Sequence, residues 1–194
     1  MPTEEIQRER TAHEEREQLL ARLSASVNAH RIDTEAGGNG FLAPFAALVL
    51  SEVARTDRVE PWMSDEQRAA LVETGASYVE SVRDYRGFIE GEGWRHGVAH
   101  GADLLMQLSL NPAIGEEEAE RIMRAVGSQI ASNEAPAFIF DEPRRLARLL
   151  SQAARLDAIN KGAASGRAWD ELVTLTLRLS GKPARESAII ANRP

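Results

Sequence analysis

In the stretch "GWRHGVAHGAD", residues 93 to 103, His96, His100 and Asp103 recur at helical spacing. Successive helical residues turn by roughly 100°, so these three and Gln107 fall within a sector of about 60°. Two imidazoles and a carboxylate on one stripe are a ligand set for zinc, iron or manganese, and water bound to such a metal can become a nucleophile near neutral pH. The zincin form of that chemistry is excluded, because it requires Glu directly after the first His and Gly97 stands there. Two other readings of the stripe stay open. The side chains can line a metal-free pocket for a small ligand, or they can face water and hydrogen-bond to neighbours that lock the helix in place. Candidate companions are Asp84, Arg86, Glu90, Glu92 and Trp94 just before the stripe, and Asp141 and Glu142 at a later helix start. The planar fork of Arg86 suits a carboxylate or phosphate, although Asp84 and Glu90 offer it nearby ion pairs. Acidic neighbours would favour imidazolium, which helps hydrogen bonding and hinders metal capture at mildly acid pH.

The elements that must carry these residues read as helices almost throughout. Residues 3 to 30 are polar as far as Gln18, then place Leu19, Leu20, Leu23 and Val27 on one face. After the glycines of "EAGGNG", the ten-residue run "FLAPFAALVL" reads as a buried second helix reaching about Arg55, with Leu42, Phe45, Leu48, Val49 and Val53 as its apolar stripe. Ser64 and Gln67 form a capping-box pattern opening a third helix that carries Leu71, Gly75, Tyr78, Val79 and Val82. A fourth helix is expected from about Trp94 to Leu110, with Trp94, Val98, Leu105 and Leu108 opposite the histidines. Gly97 and Gly101 flank that apolar side, where missing side chains would let a neighbouring helix come close. Two interior glycines cost about 1 kcal/mol each relative to Ala, so packing or a site must explain them. A fifth helix follows "GEEE" with Ile122, Val126 and Ile130. A sixth starts near Asp141 and Pro143 with Leu146, Leu149, Leu150 and Ala153, and a seventh holds Trp169, Leu172, Val173 and Thr176. Only "AFIF" at 137 to 140 resembles a strand. His13 and His30 read as surface residues, Trp62 as a loop anchor and Trp169 as core.

The fold class expected is all-α: HEAT-like or armadillo-like antiparallel helix pairs, with a compact helical bundle as the alternative. Helix two should pair with one, four with three, and six with five. The expected organisation is a polar helical extension over 1–18, one helical domain over 19–180 and a tail over 181–194. A chain of 194 residues with 43% hydrophobic and 27% charged residues fits one globular unit of this kind.

Composition removes several functions. There is no cysteine, so disulfides, thiolate nucleophiles and Cys-type zinc sites are excluded together. A formal net charge of -7 opposes phosphate backbones and anionic lipid, and the Arg residues alternate with Glu instead of massing into a stripe. Neither nucleic acid nor a membrane is expected as a partner. The Glu-rich start has no apolar signal core, and the longest apolar run is half a bilayer span, so the expected compartment is the cytoplasm. No phosphate-cradling loop, nucleophile elbow or dinucleotide fingerprint is present.

Residues 84 to 105, "DYRGFIEGEGWRHGVAHGADLL", resemble the signature of a bacterial domain-of-unknown-function family, the DUF2785 type. Asp84, Arg86, Gly87, Gly93, Trp94, His96, His100, Gly101, Ala102 and Asp103 carry that resemblance. "FDEPRRLARLL" looks like a later acidic segment of the family, with Asp141 and Glu142 near its acidic positions and Pro143 as a departure. The resemblance implies a helical, HEAT-like fold and a bacterial source, and it implies that Arg86, Trp94, His96, His100 and Asp103 act together. It implies no activity. The function expected is small-ligand or metal binding at a polar pocket on the fourth helix, with a non-enzymatic scaffold for a protein partner as the alternative.

Overall fold

The computed structural model describes residues 3–30, 32–35, 38–130, 142 and 144–149. Five helices dominate: α1 (Thr3–Asn28), α2 (Leu42–Val59), α3 (Asp65–Ser81), α4 (Gly97–Ser109) and α5 (Glu116–Ile130). Residues 142 and 144–149 are helical as well. The class is all-α. Between α3 and α4 a small antiparallel hairpin pairs β1 (Phe88–Ile89) with β2 (Gly93–Trp94), in the register Phe88 to Trp94 and Ile89 to Gly93. None of the described helices is long and apolar enough to cross a membrane. The expected strand at 137 to 140, the seventh helix, the tail, and Asp141, Leu150 and Ala153 lie outside the described residues.

Leu20 and Val27 of α1 are buried and Leu23 packs against the core, while Leu19 stays exposed. The polar first turns of α1 are exposed, as their composition demands. Helix α3 opens with the expected capping box: Gln67 N donates to Ser64 Oγ at 3.2 Å and Ser64 N donates to Gln67 Oε1 at 2.8 Å, which satisfies two free donors of the helix start. The acidic first turn of α5, Glu116 to Glu118, faces the positive end of its own helix dipole.

Helix α2 is rotated part of the way from its expected orientation, keeping Val53 buried and Leu48 half-buried. Its buried face is Ala43, Ala46, Ala47, Leu50, Val53 and Ala54, whereas Leu42, Phe45 and Val49 are exposed. Four alanines on one side let α1 and α4 approach α2 closely, and that contact decides which face goes inward. Helix α4 also departs from the expected pairing: it packs along α2 as well as against α3. Its close approach to α3 depends on the two glycines, as expected. A Cβ on Gly101 would lie 2.6 Å from Val79 Cγ2, and one on Gly97 would lie 3.2 Å from Val82 Cγ1.

The start of α4 is the largest correction. The helix begins at Gly97, not Trp94, because Gly91 and Gly93 adopt positive φ in the hairpin and His96 caps the helix from a left-handed backbone, φ 48° and ψ 36°. Trp94 therefore belongs to β2 and is half-exposed, not part of the buried face of α4.

The loops at the far end of the helices are tied by one carboxylate. Asp57, buried near the end of α2, accepts from Met63 N at 2.7 Å, Trp62 N at 2.8 Å, Arg68 Nε at 2.7 Å and Asn111 Nδ2 at 2.7 Å. Burial by itself would raise the pKa of Asp57. The Arg68 guanidinium and the two backbone donors outweigh that and hold it below the ordinary value. Trp62 anchors its loop as expected, its indole N–H donating to Thr56 Oγ1 at 3.1 Å.

Candidate functional site

The hairpin and the left-handed cap together deliver two imidazoles to the start of α4. His96 stacks on Trp94, with ring centroids 4.4 Å apart and an interplanar angle of 11°. Its Nδ1 lies 3.4 Å from Glu142 Oε1, and its ring centroid lies 5.9 Å from that of His100. Among the described residues His96 is the only non-glycine residue at positive φ. Such a backbone costs of order 1–3 kcal/mol and persists only where the surroundings impose it, which makes it a marker of a constrained site.

His100 sits one turn into α4, only 7% exposed, with its ring edge-on to Phe45 of α2 at 5.2 Å. Burial pushes its pKa down to about 4; the nearby His96 and Arg145 add to the shift, and the Pro44 carbonyl opposes it. The ring is thus neutral at physiological pH. Glu142 is 2% exposed. Among the described residues, His100 Nδ1 and Glu142 Oε2 are buried without a hydrogen-bond partner.

The remaining sequence candidates are distributed differently from the expected single stripe. Asp103 forms an ion pair with Arg145, whose charge also acts on His100. Gln107 Oε1 accepts from Arg58 Nε at 3.3 Å. Among the described residues no three His, Asp or Glu side chains stand together as a group that could hold a metal ion. His96 caps the helix instead of lying on it, and Asp103 has a cation beside it. Glu142 supplies a carboxylate beside the His96 imidazole, and Asp141 lies outside the described residues. Glu90 is exposed in the hairpin turn.

Asp84 and Arg86 make the anticipated ion pair, with Arg86 Nε and Nη2 each 2.7 Å from a different carboxylate oxygen. They belong to a second polar knot, under the connection between α1 and α2. There Arg95 Nη1 and Arg86 Nη2 donate to the Glu35 carbonyl at 2.8 and 3.0 Å, and Arg95 Nη2 donates to Glu92 Oε2 at 2.6 Å. The Glu35 carboxylate accepts from Arg83 N at 2.8 Å and lies 3.2 Å from His30 Nε2. Arg95 also lies over the Phe41 ring, 4.4 Å from its centroid. Burial, with the charges of Glu35 and Asp84, pushes the Tyr78 hydroxyl pKa well up, so it stays protonated.

His30 is a correction: its side chain is 7% exposed and its ring meets Tyr78 edge-on at 5.2 Å, so it is no surface residue. His13 does lie near the surface, edge-on to Trp62 at 6.0 Å. Sequence reading overlooked Glu35, Arg95, Tyr78 and Arg145. Arg95 alone carried a signal, as the cation that separates Trp94 and His96 in the motif.

Fold and site together define an all-α protein in which a short hairpin presents a stacked Trp–His pair to the start of a glycine-bearing helix. Residues 29–193 match the family described as Protein of unknown function (DUF2785), and the chain belongs to that family. No curated protein and no solved structure matches it.

Proposed function

We propose that the chain binds a small polar molecule at the cluster of His96, His100 and Glu142. The observation that carries this reading is the pair of buried polar atoms, His100 Nδ1 and Glu142 Oε2, without hydrogen bonds among the described residues. A buried polar atom left unsatisfied costs about 1–3 kcal/mol, so such atoms in a native protein call for a partner such as water, an ion or a ligand. A neutral imidazole offers one donor and one acceptor, and a carboxylate offers only acceptors. The ligand that completes both is therefore rich in hydrogen-bond donors, such as an amine, an alcohol or an amide. Zinc, manganese or iron are the competing class, because the same lone pairs suit a metal.

The test is a thermal-shift titration of untagged protein with small amines, alcohols, amides and those three metals. A compound that raises Tm in the wild type and has no effect on the His100→Ala and Glu142→Gln variants supports the reading. Flat responses across the panel overturn it.

The helix contacts favour a second reading at the level of architecture. Helix α1 touches α2, α3 touches α4 and α4 touches α5, and helices also touch the next but one, as α1 with α3, α2 with α4 and α3 with α5. Stacked helix pairs of the HEAT-like kind produce that pattern, and such stacks serve as scaffolds for protein partners. A purely structural role for the histidines would make His96→Ala strongly destabilising while every added compound leaves Tm unchanged.

A further inference from the structure

The start of α4 is buried and lacks a side-chain cap. Gly97, Val98 and Ala99 form its first turn and all three are buried, yet the His96 side chain makes no capping hydrogen bond to them, in contrast to Ser64 at the start of α3. Among the described residues no backbone or side-chain acceptor meets their N–H groups. The first N–H groups of a helix have no partner within it, and at a buried start they call for one from outside. A second observation points to the same place. The Tyr78 ring lies along the seam of α3 and α4: a Cβ on Gly101 would stand 3.1 Å from its Cδ1, and one on Gly97 would stand 3.4 Å from its Oη. The hydroxyl is thereby aimed at the first residue of α4. Tyr78 is 2% exposed and its Oη has no hydrogen-bond partner among the described residues. Burial, with the charges of Glu35 and Asp84, keeps that hydroxyl protonated, so it stands ready as a donor. His100 closes the same turn, its N–H donating to the His96 carbonyl at 2.9 Å, and its Nδ1 also has no hydrogen-bond partner among the described residues. Helical side chains tilt toward the N-terminus, which carries the His100 ring toward the same end.

These donors require an acceptor, and the neighbouring charges decide its kind. Glu35 and Asp84 act on Tyr78, and Glu142 stands beside His96. Arg86 pairs with Asp84, Arg95 with Glu92 and Arg145 with Asp103, so each nearby guanidinium already faces a carboxylate. An added anion would be repelled there. A neutral carbonyl oxygen offers two lone pairs without a charge. We infer that the polar ligand is a compact neutral amide, a carboxamide or a urea, whose carbonyl oxygen accepts from the α4 N–H groups and the Tyr78 hydroxyl while its own N–H groups turn to His100 and Glu142. The inference rests on the polar-ligand reading above and selects the amide from the amines, alcohols and amides which that reading admits. Only the amide carries its acceptor and its donors on separate atoms, as donors at the helix start and acceptors on the side chains require.

NMR titration of the full, isotope-labelled chain with molecules of one shape tests it: acetamide, which offers donors and an acceptor, acetate, which offers only acceptors, and acetamidinium, which offers only donors. Acetamide is expected to shift the Gly97, Val98 and Ala99 amide signals to saturation. Acetate and acetamidinium should bind about tenfold more weakly or worse. Tyr78→Phe removes only the hydroxyl and keeps the ring in the seam; it should weaken acetamide binding about fivefold, the worth of one hydrogen bond. Acetamidinium binding in place of acetamide would overturn the carbonyl assignment and spare the polar-ligand reading. Acetate binding in place of acetamide would overturn both, since such a ligand brings no donor to His100 or Glu142. Acetamide shifts that bypass these amide signals, or that ignore Tyr78→Phe, overturn the inference. So does the absence of any response to the whole set, and a response to an amine or an alcohol in the thermal-shift panel would then show that the polar-ligand reading stands without it.

Discussion

His100 is held at a pKa of about 4 in the folded chain against an ordinary value of 6.5, so between those limits the unfolded chain carries more protons. Stability from this residue is therefore complete above pH 6.5 and is lost as the pH falls through 6.5 toward 4. The expected loss from pH 7 to pH 5 is on the order of 1–2 kcal/mol. Urea unfolding at a series of pH values measures it, and His100→Gln should flatten the curve in that window; an unchanged slope would refute the assignment. The groups facing His100 are Phe45 and Pro44 from α2, His96 at the cap and Arg145 from the later helix. Asp57 also contributes, with the opposite sense of charge and a different window: its folded pKa lies below 3.8, so its stabilisation fades only as the pH drops below that value. At this scale the sequence was informative about type and poor about partners. Spacing found His96 and His100, and a helix-start motif supplied Glu142. It could not show that Arg145 claims Asp103, or that Glu35 and Tyr78 enclose His30, because those partners come from other elements brought together only by folding.

Helical periodicity is legible wherever large apolar residues mark the inner face, as in α3 and with Ile122 and Val126 in α5, although Ile130 at the last turn of α5 is exposed against expectation. It misleads in α2, where Leu42, Phe45 and Val49 face outward and alanines share the inner face with Leu50 and Val53. It also fails at the hairpin, since two strands of two residues each are too short for any alternation and their geometry rests on glycines at positive φ. The α4 glycines were legible because their cost demanded a reason, and the packing supplies it. Ala is the better helix former by about 1 kcal/mol, so an exposed Gly101→Ala change would stabilise α4. At Gly101 the new Cβ would meet Val79 Cγ2 at 2.6 Å and the Tyr78 ring at 3.1 Å, both buried on α3. Overpacking of that kind costs typically about 1–3 kcal/mol. Gly101→Ala is accordingly expected to lower the urea midpoint, and a variant as stable as the wild type would mean that α3 and α4 separate more easily than their packing implies.

Across the whole molecule, two distant devices hold the stack: the close seam of α3 and α4 near the histidines, and the Asp57 knot at the opposite loops. Asp57 joins the end of α2, the α2–α3 loop, Arg68 of α3 and Asn111 after α4, so its removal strands several groups at once. Both partners of the Asp57–Arg68 pair are buried, with side chains 1% and 8% exposed, and breaking a buried pair from one side costs about 3–5 kcal/mol. Asp65 remains 2.8 Å from Arg68 Nη1 and keeps part of its charge compensated, which places Asp57→Ala toward the lower end of that range. Because the hydrogen-bond partners of Asp57 and the α3 side chains facing Gly101 are different residues, the losses from Asp57→Ala and Gly101→Ala should add to within about 0.5 kcal/mol in the double variant. Chemical denaturation of the two single variants and the double variant decides the point. A total well short of the sum would show that the knot and the seam are coupled through the intervening core of Leu71, Leu104, Leu105 and Leu108, and that one device cannot loosen without the other.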